Sequence, residues 1–123
     1  MYTIIKVVCQ RCDSDMLESM SHEEIITYAK NAVYIYQNDL TEKMISGLAA
    51  CDDYINHKIS VSEARKIAFL MHRYAREENN FMIKYLYRAC GHAIACIHVK
   101  EHLKPCMKYL EKVKRIKGGQ SHD

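Results

Sequence analysis

Apolar residues return every three or four positions through most of this chain, and a few polar residues punctuate that rhythm. The first clear signal is Ser21 with Glu24, a capping box: the hydroxyl accepts from a first-turn N–H while the carboxylate reaches back. Met20 and Ile25 flank it at staple positions, and Ile25, Ala29, Ala32, Val33 and Tyr36 then keep a helical period. A helix over 21–38 is predicted, ending at Asn38 and Asp39. Thr41 is a good N-cap with Leu40 and Ile45 as its staple pair. It starts a helix over 41–57 whose buried stripe is Ile45, Leu48, Ala49, Tyr54 and Ile55, fraying at Asn56 and His57. Ser60 with Glu63 repeats the capping box and opens a helix over 61–77. There Ala64, Ile67, Ala68, Met71, Tyr74 and Ala75 form one face, and Arg65, Lys66, Arg73 and Arg76 lie largely on the other.

Asn79 and Asn80 end that helix and cap the next, which begins near Phe81 and is expected to run through the segment RACGHAIACIHVKEH (88–102). Pro105 has no N–H for the carbonyl of Glu101 and biases Lys104 away from helical angles. A kink or restart is expected there, with Pro105 in a first turn and a last helix over 105–116 that stops at Gly118 and Gly119. The expected fold is all-α: a compact antiparallel bundle of four to five helices with short loops. Residues 1–20 read as an N-terminal extension, 21–116 as the helical domain and 117–123 as a flexible tail. Tyr2 to Val8 is either a short strand or a poorly packed helix.

Composition sharpens this picture. A chain of 123 residues is one domain, 49% hydrophobic and 27% charged, able to bury an adequate core. One proline and four glycines are too few breakers for a sandwich or barrel. No run approaches the ~20 apolar residues a membrane span needs, and no signal peptide is visible, so a cytoplasmic location is expected. The six cysteines are then reduced thiols, many of them core-filling. A net charge of +3 is a weak bias that does not imply nucleic acid, and a nucleic-acid partner is not expected. The lysines between Lys100 and Lys117 are most simply a solvated face, and cations suit a helix C-terminus.

Candidate chemistry concentrates in the fourth helix. On a continuous helical wheel Gly91, Ala95, His98 and His102 share one face and His92 is displaced from it. His98 and His102 have the i,i+4 spacing that places two imidazoles on one metal, and His72 is a candidate third ligand. The plainer reading is that these histidines hydrogen-bond at helix crossings, with Gly91 and Ala95 admitting close contact. Arg65 with His72, or Arg88 with His92, resembles the arginine–histidine pairs of helical ribonucleases, a spacing common by chance. Cys9 and Cys12 have the spacing of half a zinc knuckle without the other half. Nine tyrosines are expected half-buried, and any left exposed would anchor a partner.

The segments ISVSEARKIAFLMHRYARE (59–77) and RACGHAIACIHVKEHLKPCMKYLEKV (88–113) resemble the immunity-five-like family of small bacterial immunity proteins. The matching positions are Glu63, Ala64, Arg65, Ala68, Phe69, His72, Ala75, Arg76 and Glu77, then Ala89, Gly91, His92, Ala93, Ala95, His98, Val99 and His102. The chain departs from the family pattern in its Tyr, Met, Cys and Ile content: Cys90 and Cys96 replace small residues, and Leu103 and Pro105 interrupt an Ala-rich stretch. The resemblance implies an all-helical protein that neutralises a toxin by direct binding and occlusion, with a cognate toxin as partner, no catalytic residues and no cofactor. The expected binding face comprises Arg65, His72, Arg76, His92, His98 and His102. The alternative is a metal-binding or enzymatic bundle holding zinc on His98, His102 and His72. A homodimer on the Gly91–Ala95 seam is a third option.

Overall fold

A computed structural model describes residues 14–119. The Tyr2–Val8 segment, Cys9, Cys12 and the last four residues lie outside them. Six α-helices follow one another, with no strand among the described residues. They are α1 (Ser14–Ser19), α2 (His22–Tyr34), α3 (Glu42–Ile55), α4 (Val61–Glu77), α5 (Phe81–Ala95) and α6 (Leu103–Lys117). Short 3-10 turns at Gln37–Asp39 and Lys100–His102 complete the path.

The starts are local chemistry. Ser21 Oγ accepts from the Glu24 N–H at 3.1 Å and Glu24 accepts from the Ser21 N–H at 2.7 Å. Ser60 and Glu63 repeat this at 3.1 and 2.8 Å. Thr41 caps α3 through the Met44 N–H at 3.2 Å, and the Met44 thioether takes the place of the usual carboxylate against the Thr41 N–H at 3.5 Å. Asn80 caps α5 through the Ile83 N–H.

The ends depend on more distant contacts. α2 stops at Tyr34, short of the expected 38, and tightens into the 3-10 turn that leads to Thr41. α3 stops at Ile55 because His57 turns into the left-handed region (φ 63°), which lets the Lys58 N–H reach the Asp53 carbonyl at 2.7 Å.

α5 is the central helix and packs against α2, α3, α4 and α6. Short connections force its neighbours to run antiparallel: Tyr74 of α4 meets Tyr87 of α5, with ring centroids 5.5 Å apart. The core takes Ile25, Ile26 and Val33 from α2, Met44 and Leu48 from α3, Met71 from α4, Leu86 and Ile94 from α5, and Leu103 and Val113 from α6. Each such large side chain contributes roughly 1.5–3 kcal/mol on burial. Leu17 of α1 joins the same core. Cys51, Cys90, Cys96 and Cys106 are buried in the core. The Lys117 ammonium meets Asp39 at 2.8 Å, tying the end of α6 to the α2–α3 connection.

The α4 faces fall as the period predicts, but α3 does not. Ile45 is 45% exposed and Ala49 is exposed, while Met44, Gly47, Leu48, Ala50 and Cys51 face inward. Leu48 is buried as expected, but Met44, packing into the core from its capping position, and Ala50 take the places of Ile45 and Ala49.

Candidate functional site

The histidine-rich segment is not one helix. α5 ends at Ala95, Val99 is extended (φ −142°, ψ 109°), and α6 opens at Leu103. The cause lies far away in sequence. His22, at the start of α2, donates from Nε2 to the Cys96 carbonyl at 2.7 Å, occupying an acceptor that a continuing helix would have used. Pro105 then sits third in α6, where its missing N–H would have had no intrahelical acceptor. The break therefore precedes the proline by several residues. The wheel that put Gly91, Ala95, His98 and His102 on one face fails with it, and so does the i,i+4 relation of His98 to His102.

The histidines that the wheel separated come together. His92 Nδ1 lies 2.9 Å from His102 Nδ1, and the two rings stack with centroids 5.1 Å apart. One of these nitrogens carries the shared proton and the other accepts it. His72 of α4 meets His92 edge-on at 4.7 Å, and His98 lies 5.4 Å from His102. Tyr109 of α6 stacks on His92 at 5.8 Å, and Tyr85 meets Tyr109 at 5.9 Å. A ladder of aromatic rings thus crosses from α4 over α5 to α6.

Arg88 locks one end of this ladder. Its Nη1 donates to His72 Nδ1 at 3.0 Å. A guanidinium only donates, so His72 is neutral and carries its proton on Nε2. The Nε2 edge lies over Gly91: a Cβ built there would stand 2.6 Å from that nitrogen. Gly91 is glycine because His72 of the same chain fills the space. Gly91 and Ala95 are buried inside the monomer, so this seam is not offered to a second copy.

Electrostatics agree with neutral rings. Burial, then the nearness of Arg88, His102 and Arg76, push His72 down to about 4. Burial, with His72, His102 and Arg88 behind it, takes His92 to about 4. His98 is lowered by burial and by Arg65. His102 is lowered by burial and His98, with Glu101 pulling the other way. His98 Nδ1 is buried with no hydrogen-bond partner.

Six residues were expected on the binding face. His72, His92, His98 and His102 form the half-buried ladder, while Arg65 and Arg76 are exposed on α4 at its two ends, beside His98 and His72 respectively. Arg88 pairs with His72 of the neighbouring helix and not with His92 of its own. Arg88 as a clamp, Tyr109 and His22 were not picked out by spacing. The antiparallel α4–α5 register, which sets Tyr74 against Tyr87, was the signal that could have brought His72 and Arg88 together. Among the described residues no three of His, Cys, Asp and Glu are placed to hold a metal ion, and no helix is long and apolar enough to cross a membrane.

A family model described as "Imm-5 like putative immunity protein" matches residues 15–123. The chain belongs to this family. The match takes in α1 from its second residue as well as the whole ladder, so Leu17 and the histidines fall within one family unit. No curated protein and no solved structure matches the chain.

Proposed function

We propose that this protein protects a bacterial cell from a toxin by binding it directly in the cytoplasm and covering its active site or substrate groove. The observation that carries the reading is family membership over nearly all the described residues. The site chemistry supports it. The four imidazoles of the ladder contact each other, and His72 is further clamped by Arg88, an arrangement suited to holding three helices in one rigid surface. A general acid or base works best with a pKa near the operating pH, whereas His72 and His92 are held near 4. The protein acts as a binding partner with no catalysis of its own. The contact face is the outer side of α4, where Arg65 and Arg76 are exposed, and the ladder of His72, His92, His98 and His102 holds the helices together behind it.

The test is co-expression with the C-terminal domain of a large secreted multidomain protein encoded beside this one. A stoichiometric complex and restored growth are expected. Continued killing in cells that hold abundant folded protein would refute the proposal.

One observation favours a second reading, a metal-binding or enzymatic bundle: the buried His98 Nδ1 lacks a partner. Elemental analysis of protein purified without a histidine tag decides it. Stoichiometric zinc that disappears on replacing His98 and His102 would establish that reading.

A further inference from the structure

Phe69 sits near the middle of α4 and is 63% exposed, the most exposed large apolar side chain among the described residues. Helical spacing surrounds it with cations: Arg65 at i−4, Lys66 at i−3, Arg73 at i+4 and Arg76 at i+7. Arg73 has a carboxylate partner, Glu77 at 3.6 Å. Arg65, Lys66 and Arg76 have no ion pair among the described residues. The nearby carboxylates are engaged elsewhere: Glu63 caps Ser60, and Glu78 accepts from the Asn80 N–H at 3.0 Å. Behind Phe69 the α4 backbone is held by Ala64, Ala68, Met71 and Ala75 in the core and by His72 against Gly91, so this face is rigid.

Aromatic and arginine side chains on a pre-ordered helix are the types that dominate protein interfaces. Their order here, one phenyl ring inside a rim of unpaired positive charge, selects the sign of what covers it. We infer that the outer face of α4 binds an acidic protein segment whose carboxylates pair with Arg65, Lys66 and Arg76 and whose apolar side chain packs on Phe69. This deepens the toxin-binding reading and rests on it: the surface that is covered is an acidic one. It therefore excludes the familiar arrangement in which an acidic inhibitor plugs a basic nuclease site. A nucleic acid would meet the same charges, but a single exposed ring offers no run of stacking platforms along a strand.

The experiment is selection from a randomised dodecapeptide phage library on the intact protein, followed by affinity measurement with the synthetic winners and with a uridine oligonucleotide. Peptides enriched in Asp and Glu around a Phe, Trp or Leu are expected. Phe69→Ala and the double variant Arg65→Glu, Arg76→Glu should each weaken them by about tenfold or more. All three positions are exposed, and unchanged urea midpoints confirm the fold. No enrichment, winners without acidic bias, winners indifferent to both variants, or tighter binding of the oligonucleotide would each overturn the inference. Toxin protection is a separate readout. Acidic peptides bound by a protein that protects against nothing would leave the surface standing and remove the immunity role.

Discussion

Gly91→Ala changes one hydrogen to a methyl group, and its effect has a sign set by a single neighbour. In an unobstructed helix interior the substitution stabilises by about 1 kcal/mol, because alanine loses less backbone freedom. Here the new Cβ would lie 2.6 Å from His72 Nε2, 2.8 Å from Cε1 and 2.9 Å from Cδ2. Ordinary contact begins at 3.4 Å, so the ring must retreat by about 0.8 Å. It cannot retreat freely, since Arg88 holds its Nδ1 at 3.0 Å and His92 abuts it at 4.7 Å. Overpacking of this kind costs about 1–3 kcal/mol, and straining the charge-assisted Arg88 bond brings the site to the upper end of that range. A net loss of ~1–2 kcal/mol is expected. In a His72→Ala background the obstacle is gone, and the same substitution should stabilise by about 1 kcal/mol. Urea unfolding followed by helical circular dichroism measures all four corners of this cycle, with a coupling of ~2–3 kcal/mol expected. Gly47→Ala is the control: its Cβ would meet the end of the Met71 side chain at 2.9 Å, which can swing aside. If Gly91→Ala stabilises the unmodified protein as much as the His72→Ala variant, the clamp does not exist as described.

Acidification should destabilise the fold. His72 and His92 stay neutral down to about 4 when folded, whereas the unfolded chain takes up protons below about 6.5, so the unfolded state gains protons across that window. Stability is full above about 6.5 and declines as pH falls toward 4, by ~1–2 kcal/mol per ring once solvent screening is allowed for. A urea midpoint that holds steady or rises on acidification would show that the rings are charged in the fold. Ser60→Ala removes the α4 cap and should lower the unfolding free energy by about 1 kcal/mol in the same assay. Cys51, whose thiol burial and Asp52 push up to about 12, and Cys90, raised by burial, should escape iodoacetamide until urea unfolds the chain. Peptide mapping that finds either one alkylated in the native protein would place these thiols outside the core.

The helix starts were legible because capping is local: Ser21 with Glu24 and Ser60 with Glu63 need only three residues of chain. The α4 faces were legible because a strong 3.6 period sets charge against alanine. The α5–α6 corner was not, since its stop signal is His22, 74 positions before the carbonyl it binds. The histidines stood out in the sequence by their number, but their arrangement was read from one continuous wheel. With the helix broken, His92 and not His98 becomes the near partner of His102. Two contacts outside any short window settled the rest: Arg88 crossing to His72, and His72 lying over Gly91. The α3 stripe was right at Leu48 and missed at Ile45 for a smaller reason, in that Met44 serves as both cap and core.

The central claim is that this protein works by contact through α4 while the imidazole ladder behind it is scaffolding. Growth of cells expressing the proposed toxin, compared between Phe69→Ala with Arg65→Glu and Arg76→Glu on one side and His92→Gln on the other, tests it most directly. The surface variant should lose protection while remaining folded, and His92→Gln should retain it. Protection that survives the loss of the surface but vanishes with the His92 imidazole, in protein of normal stability, would contradict the account.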